Sequence, residues 1–325
     1  MQKNQTGLII GKFYPFHKGH EYLIRESRKQ AEKLTVLVCS LSSETIEGSL
    51  RHKWLSEIFP DVNVIHVTDE NPQYPHEHPD FWEIWVQTIT KRIPEIPDII
   101  FSSEEYGYEL AKRLGSTHVP IDIDRNKFPV SGTKIRNNPH RYWDYIPMNV
   151  RPYFVKKIVI TGPESTGKSI TTHLLADYFH TEFVDEYARE FLDKKGKYVD
   201  IDDIPSIAQG HLLDIEKKLL TANKFLFIDT DIIVTKIYSN HYFGFCPQWI
   251  LEKAKSIKYD YYLLMNIDIP WIADPLRDSP HLRKEFFEIW KNELDSYRLP
   301  FTIIDGAFEE RTFKAISFIE NYFNY

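Results

Sequence analysis

Two short stretches of this sequence combine glycines with basic or hydroxyl side chains, and such combinations bind phosphate groups. The first is Gly11-Lys12-Phe13-Tyr14-Pro15-Phe16-His17-Lys18-Gly19-His20, which follows the apolar run 8–10 and precedes a helical pattern that continues through Leu34. The second is Gly162-Pro163-Glu164-Ser165-Thr166-Gly167-Lys168-Ser169, between the apolar run 157–161 and a helical pattern at 171–179. A strand, a glycine turn and a helix N-terminus direct backbone N–H groups and a positive helix dipole at an anion. Each stretch is therefore a candidate phosphate site.

The second stretch has the spacing G-x-x-x-x-G-K-S of a phosphate loop, and its flanking strand and helix are the context that this motif requires. Lys168 would reach the β- and γ-phosphates of a nucleotide, and the Ser169 hydroxyl would hold Mg²⁺. The simpler alternative is a glycine-rich turn before a core helix. We predict ATP and Mg²⁺ as ligands, with nucleotide contacts from Gly162, Glu164, Ser165, Thr166, Gly167 and Ser169.

Acidic residues end two predicted strands in the same half of the chain. Asp185 and Glu186 follow the strand 181–184, where either could accept a proton from a substrate hydroxyl. Asp229 and Asp231 follow four apolar residues in the pattern of a Walker B strand, where either could coordinate Mg²⁺. The simpler alternative for both pairs is helix capping and favourable interaction with the helix dipole. The sequence leaves the choice within each pair open.

An arginine beyond the last predicted strands could close over a transferring phosphoryl group and stabilise its charge. Arg277 is the candidate for this catalytic role, with Arg283 as the second choice. An ordinary surface arginine is the simpler alternative.

His17 and His20, three residues apart, lie on one face at the start of the first helix, and both side chains can donate hydrogen bonds. Zinc binding is the weaker interpretation, because no third ligand is spaced nearby. Further along, Ser131 would cap a short helix, and Thr133 and Arg136 would be directed at the same anion. Taken alone, a serine cap followed by an arginine is an ordinary helix start.

Aromatic and acidic residues of the first half are candidates for binding a substrate. Trp85 is the preferred residue for stacking on a flat cationic ring, and Asp122 could hold a ribose. The aromatic stripe that contains Trp85 has helical spacing, however, and such stripes are more often part of a hydrophobic core.

Strand and helix patterns alternate along both halves, which predicts the α/β class with two doubly wound parallel sheets. Three prolines interrupt the segment 137–157, so we predict a domain boundary near residue 150, with domains at 1–150 and 151–325.

The composition narrows the class of protein. The formal net charge is −7, and acids outnumber bases in both halves, by 20 to 18 and by 27 to 22, which argues against a nucleic-acid partner. Cys39 and Cys246 are the only cysteines and lack CxxC spacing, so neither disulfides nor a zinc cluster are indicated. No apolar segment reaches the roughly 18 residues that span a bilayer, and a signal-peptide pattern is absent. We expect a cytoplasmic protein without membrane insertion.

The stretch G-x-F-x-P-x-H-x-G-H resembles the signature of the nucleotidyltransferase superfamily, and S-G-T-K-I-R resembles its second signature. The resemblance implies adenylyl transfer, in which His17 and His20 bind nucleotide phosphates together with Gly11, Lys12, Phe13, Ser131, Thr133 and Arg136.

The order of these signatures, followed by G-P-E-S-T-G-K-S, D-E-Y-A-R-E, F-I-D-T-D and D-I-P-W, is similar to that of the NadR family over nearly the whole chain. The resemblance implies a Rossmann-like nicotinamide mononucleotide (NMN) adenylyltransferase domain followed by a P-loop ribosylnicotinamide kinase domain, with ATP, nicotinamide riboside and NMN as substrates and NAD as product. It also implies that Trp271 stacks on the nicotinamide ring and that Arg189 contacts substrate.

Some members of that family carry an N-terminal helix-turn-helix, whereas only residues 1–10 precede the first signature here, so we expect no DNA partner. One alternative is a fusion of pantetheine-phosphate adenylyltransferase with dephospho-coenzyme A kinase, in which D-I-P-W has no place. Another is a NAD or ATP sensor with one degenerate domain, against which the intact Lys168, Ser169, His17 and His20 argue. Whether the protein is a monomer or a homo-oligomer is left open.

Overall fold

The computed structural model describes residues 5–196, 198–274 and 280–325. The chain divides into two compact units, Met1–Val150 and Arg151–Tyr325. Each unit contains one five-stranded sheet in which every strand pair is parallel. The predicted α/β class with two parallel sheets is therefore confirmed. Within the described ranges, no helix is both long enough and apolar enough to cross a membrane.

The first unit alternates strands and helices in chain order. Its elements are β1 (Thr6–Gly11), α1 (Lys18–Ser27), β2 (Lys33–Cys39), α2 (Gly48–Ile58), β3 (Asn63–Val67), α3 (Phe81–Thr90), β4 (Ile99–Ser102), α4 (Tyr106–Leu114), β5 (Thr117–Pro120) and α5 (Gly132–Asn137). The strand order is β3-β2-β1-β4-β5, so the chain turns to opposite sides of β1. Ligands of open parallel sheets bind at such a switch point, beyond the carboxyl ends of the strands. The residues after β1 are therefore at the expected position for a ligand site.

The second unit repeats this arrangement around β6. Its elements are β6 (Lys156–Thr161), α6 (Lys168–Phe179), β7 (Glu182–Val184), α7 (Tyr187–Lys195), α8 (Asp203–Leu219), β8 (Phe225–Asp229), α9 (Ile232–Phe243), α10 (Gln248–Ser256), β9 (Tyr261–Met265), α11 (Arg283–Ser296), β10 (Phe301–Ile304) and α12 (Phe308–Phe323). The strand order is β10-β9-β6-β8-β7, with the phosphate loop directly after the central strand. Strands β8 and β9 are almost entirely apolar, and β6 is buried from Ile158 onward, because helices cover both faces of a parallel sheet.

Two predicted boundaries were wrong. The first helix ends at Ser27 rather than at Leu34, because the backbone tightens into a turn after Ser27 and Leu34 joins β2, where it pairs with Gly7 of β1. The pattern at 118–123 predicts a fifth strand, but that strand ends at Pro120, because Asp122 has a φ of 51° and turns the chain away from the sheet. In both places a tertiary contact or a turn overrides the local pattern.

Candidate active sites

The phosphate loop of the second unit has the backbone that its glycines predict. Gly162 and Gly167 have φ values of 135° and 84°, and a Cβ at Gly162 would lie 2.8 Å from the Met265 carbonyl oxygen. Lys168 begins α6, and its Nζ donates to the Pro163 carbonyl at 3.0 Å. The phosphate loop thus binds the Lys168 ammonium group through its own backbone, at the N-terminus of α6.

Arg311, on α12, connects this loop to the segment that follows β9, and no sequence motif indicated this residue. The side chain is 1% exposed. Its guanidinium donates to the carbonyls of Thr166 at 2.9 Å and Asn266 at 3.0 Å, and it forms an ion pair with Asp268. Because α12 is remote in sequence from the loop, only the folded chain brings these groups together.

We expect the change Arg311→Met to lower the free energy of unfolding of the second unit by about 3–5 kcal/mol, since it leaves Asp268 and the loop carbonyls without their buried partner. Urea denaturation followed by circular dichroism measures this change. Lys314→Met is the matched control on α12, because the Lys314–Asp305 pair is half exposed and should contribute less than about 1 kcal/mol. Equal losses from the two variants would contradict the clamping role of Arg311.

The two Walker B candidates have different environments. Asp231 caps α9: its Oδ1 accepts from the backbone N–H groups of Ile233 and Val234, and its Oδ2 accepts from the Tyr262 hydroxyl at 2.8 Å. Asp229 is 1% exposed, no backbone N–H group donates to its carboxylate in the described ranges, and the Ser169 hydroxyl is near enough to act on its pKa. Asp231 is thus held by structural hydrogen bonds, although it lines the cavity beside the phosphate loop, whereas Asp229 is buried close to Ser169, the other candidate Mg²⁺ ligand.

The electrostatics of Asp229 fit a bound cation. Burial, followed by the charge of Glu186, raises the pKa of the Asp229 carboxyl to about 7, and the Lys168 charge and the Ser169 hydroxyl oppose this rise. A divalent cation would supply the missing positive charge. Across the described ranges no group of three or more His, Cys, Asp or Glu side chains forms a metal site. Mg²⁺ commonly takes one or two protein ligands and completes its shell with phosphate and water oxygens, which Asp229 and Ser169 would suit.

The two candidates for the catalytic base also differ. Asp185 is exposed, and its Oδ1 lies 2.6 Å from Nε2 of His173. Glu186 is half-buried and lines a cavity of about 210 Å³ together with Lys168. The structure thus brings Glu186 to the phosphate loop, while Asp185 is paired with a histidine.

The cavity residues outside the phosphate loop are mostly apolar or aromatic, and no sequence motif indicated them. Tyr187 packs flat against α8 because position 210 is glycine; a Cβ there would lie 2.1 Å from the Tyr187 ring. Arg189 lines the same cavity and forms an ion pair with Asp274. The other apolar and aromatic residues of the wall are Leu192, Val199, Ile204, Ile207, Val234, Tyr238 and Tyr242. None of these residues belongs to a recognisable sequence motif, and each would be ordinary in a hydrophobic core.

Trp271 is not among the described residues that line this cavity. Arg277 lies outside the described residues. The Arg283 guanidinium lies over the Trp271 ring, 5.8 Å from the ring centroid. Arg283, the second-choice arginine, also donates to the Ser165 carbonyl at 3.2 Å. Of the two arginine candidates, Arg283 is therefore the one that the described structure attaches to the phosphate loop.

In the first unit, His17 and His20 form a stacked pair at the N-terminus of α1. Their ring centroids are 3.7 Å apart, and His17 Nδ1 accepts from the His20 backbone N–H at 3.4 Å. Burial, followed by the charge of Arg125, lowers the pKa of His17 to about 3, and burial also lowers the pKa of His20 strongly. Both rings are therefore neutral at physiological pH. Because Nδ1 of His17 accepts, its proton is on Nε2, which can donate to a ligand.

The two signatures of the first unit meet at Tyr14. Arg136 donates to the Tyr14 carbonyl, stacks over the Tyr14 ring at 4.1 Å, and donates to the Thr133 hydroxyl at 3.1 Å. Ser131 caps α5 as predicted, accepting from the Lys134 N–H at 3.3 Å. The second signature thus stands beside the loop that carries the histidines.

A buried arginine holds the other side of this loop. Arg51 is fully buried, donates to the Lys12 carbonyl at 2.6 Å, and pairs with Glu44. The Lys12 ammonium lies 3.0 Å from the same glutamate. Gly11 ends β1, and Phe13, which has a φ of 49°, places its ring edge against His20 at a centroid distance of 5.0 Å. The loop is therefore fixed by contacts on both sides.

The two substrate candidates of the first unit have structural contacts. Trp85 Nε1 donates to the Pro72 carbonyl at 2.9 Å, and its half-buried ring packs against the hydrophobic core. Asp122 accepts from the backbone N–H groups of Lys127 and Phe128, which shapes the loop that carries Arg125. Arg125, whose charge acts on both histidines, is a further candidate that the sequence pattern did not indicate.

Comparisons with known proteins cover nearly the whole chain. A family model described as an AAA domain matches residues 157–311. The chain is 32% identical to the trifunctional NAD biosynthesis/regulator protein NadR of Escherichia coli over 94% of its own length and 80% of that protein, and the same values hold for the protein of that name from Salmonella typhimurium. Two crystal structures have the same fold: NadR protein in complex with NR, at a TM-score of 0.79 and 24% identity, and NadR protein in complex with NAD and AMP-PNP, at 0.80 and 23%. Each alignment covers 99% of this chain, and it covers 98% of the chain in the first crystal structure and 97% of the chain in the second. The chain therefore belongs to the NadR family of NAD biosynthesis proteins, and it is a transferase.

Proposed function

We propose that the protein is a bifunctional enzyme of NAD salvage. The second unit transfers the γ-phosphoryl group of ATP to nicotinamide riboside and produces NMN. The first unit transfers an adenylyl group from ATP to NMN and produces NAD and pyrophosphate. The observation that carries this proposal is that each unit has one candidate phosphate loop, placed directly after its central strand.

In the kinase reaction, Lys168 binds the β- and γ-phosphates within the cradle of the loop. Glu186, at the cavity wall, accepts the proton of the riboside hydroxyl as that oxygen attacks the γ-phosphorus and ADP leaves. Arg189, on the same wall, contacts the riboside. Arg283 contributes positive charge beside the loop. Bound Mg²⁺, held by Asp229 and Ser169, would neutralise phosphate charge.

In the adenylyl transfer, the NMN phosphate attacks the α-phosphorus of ATP and pyrophosphate leaves, so the protein has to stabilise charge rather than provide a nucleophile. His17 Nε2 is available as a neutral donor, and Nδ1 of His20 is buried without a partner among the described residues. Lys12 and Arg136 supply positive charge to the same loop. Trp85 and Asp122 stay candidates for contacts with NMN. The partners of the enzyme are small molecules.

Product analysis tests the proposal. Purified protein is incubated with ATP, Mg²⁺ and nicotinamide riboside in one tube, and with ATP, Mg²⁺ and NMN in a second. We expect NMN and NAD in the first tube and NAD in the second. Absence of both NMN and NAD in the first tube would disprove the kinase function of the second unit, and absence of NAD in the second would disprove the adenylyltransferase function of the first.

We expect the change His20→Ala to lower the rate of NAD formation from NMN by about 100-fold, because a group directed at the phosphates is lost from a water-poor site. The rate of riboside phosphorylation should not change. Initial rates of both reactions, measured on one protein sample, check this. His76→Ala is the matched control, since His76 is exposed in the same unit. Unchanged NAD formation in His20→Ala would remove His20 from the active site.

A further inference from the structure

A buried histidine in the wall of the kinase cavity has no role in the mechanism above. His211 lies on α8, is 4% exposed and lines the cavity beside the phosphate loop. Its Nε2 lies 3.2 Å from the carbonyl oxygen of Thr230. Its Nδ1 is buried and has no hydrogen-bond partner in the part of the chain that the structure describes.

The contact with Thr230 fixes the tautomer of the ring. A carbonyl oxygen can only accept a hydrogen bond, so Nε2 carries the proton and Nδ1 is left as an acceptor. Burial lowers the pKa of His211, against smaller opposing effects of the Thr230 carbonyl, Glu186 and Asp214, so the ring is neutral at physiological pH. His211 therefore offers one acceptor, and an acceptor needs a donor from a ligand.

The turn that His211 contacts is itself held firmly. Thr230 lies between the two Walker B aspartates with a φ of 68°, and its N–H donates to the Ile160 carbonyl at 2.9 Å. Fixed to this turn through Nε2, the imidazole has little freedom to rotate. A preorganised acceptor binds a hydroxyl group with less loss of entropy than a mobile one does.

The surroundings of His211 select the kind of donor. The wall around it includes apolar and aromatic residues such as Ile207, Val234 and Tyr238, which suit the faces of a flat ring and of a sugar. The phosphoryl donor binds at Lys168, which lines the same cavity. A sugar whose primary hydroxyl reaches the γ-phosphate would expose its secondary hydroxyls to this wall.

We propose that His211 Nδ1 accepts a hydrogen bond from a secondary hydroxyl of the ribose, and so selects ribosides over deoxyribosides. This inference rests on the proposed kinase function of the second unit. An unpaired buried acceptor penalises a substrate that lacks the matching hydroxyl, which is how such sites reject close analogues.

Two amide substitutions of His211 test the roles of its two ring nitrogens separately. In His211→Gln, the amide can reach the Thr230 carbonyl in place of Nε2, while the acceptor at the Nδ1 position is lost. In His211→Asn, the shorter side chain keeps an acceptor near the Nδ1 position but loses the bond to Thr230. Kinase rates of both variants and of the wild type are measured with nicotinamide riboside and with its 2′-deoxy and 3′-deoxy analogues. Binding of each compound is measured by calorimetry in the presence of AMP-PNP.

We expect the wild type to have a kcat/KM about tenfold or more lower for one of the two deoxy analogues than for the riboside. His211→Gln should lower kcat/KM for the riboside by a similar factor and cause no further loss with that analogue, with the KM for ATP unchanged. His211→Asn should retain most of the discrimination. Thermal melting shows which variants are folded. The comparison of the riboside with its deoxy analogues on the wild type tests the inference even if a variant does not fold.

A wild type that uses the riboside and both analogues equally well would overturn the inference alone. Equal losses of His211→Gln with all three compounds would do the same, because that result indicates a purely structural role. A wild type that neither binds nor phosphorylates nicotinamide riboside would overturn the proposed kinase function, and this inference with it.

Discussion

Replacement of Lys168 by alanine is expected to lower the rate of riboside phosphorylation by about 10³-fold, while NAD formation from NMN continues at the wild-type rate. Lys168 is the first residue of α6, and its ammonium group donates to the Pro163 carbonyl at 3.0 Å. From this position the ammonium group can move to the phosphates of a bound nucleotide. Its loss removes the positive charge that meets the transferring phosphoryl group. Initial rates of ADP formation and of NAD formation measure the two effects on the same sample.

The matched control for this prediction is Lys253→Ala, because Lys253 is an exposed lysine on α10 of the same unit. Both rates should be unchanged in that variant. An equal loss of both activities in Lys168→Ala would contradict independent sites in the two units. A kinase rate within a few-fold of the wild type would contradict the role of Lys168 as the phosphate ligand.

The fold was predictable because the pattern along the chain is local. Apolar runs such as Phe225–Asp229 are short, lie between helical patterns and are followed by glycine or acid, which is typical of buried parallel strands. Ser131 capped the predicted helix because a side-chain cap is decided within four residues. The helix predicted through Leu34 failed where pairing of β2 with β1 competed with a helical pattern.

The parts of the candidate sites that were missed depend on contacts distant in sequence. Arg311 reaches the phosphate loop from the last helix, and Arg51 reaches Lys12 from α2. Neither arginine belongs to a motif, and each becomes recognisable only when its burial and its partners are known. His211 is similar, since one histidine in a helix is ordinary until its free nitrogen is found in the wall of a cavity.

The choice between Asp229 and Asp231 shows what the structure adds to a motif. The sequence supplies two aspartates with similar patterns, but hydrogen bonds from two backbone N–H groups and from Tyr262 occupy the oxygens of Asp231. Asp229 has no such partners within the described ranges, and burial raises its pKa to about 7. An unpaired buried carboxylate of this kind is costly unless a ligand offsets the cost, so it points to function rather than to stability.

We expect the change Asp229→Asn to lower the kinase rate by about 100-fold to 1,000-fold, because a neutral amide cannot supply the charge that attracts Mg²⁺ to the loop. The phosphate loop itself should still bind nucleotide. Calorimetry with AMP-PNP, with and without Mg²⁺, provides a readout that does not depend on turnover: Mg²⁺ should strengthen binding to the wild type far more than binding to the variant.

Asp231→Asn is the matched variant two residues away, and its expected effect is different in kind. The loss of a charged cap on α9 should lower the free energy of unfolding by about 1–2 kcal/mol, since the Asp231 carboxylate accepts from two backbone N–H groups. The Mg²⁺ dependence of nucleotide binding should remain close to that of the wild type. The reverse result, with Mg²⁺ dependence lost in Asp231→Asn and kept in Asp229→Asn, would assign the metal to Asp231 and would mean that the helix cap opens when nucleotide binds.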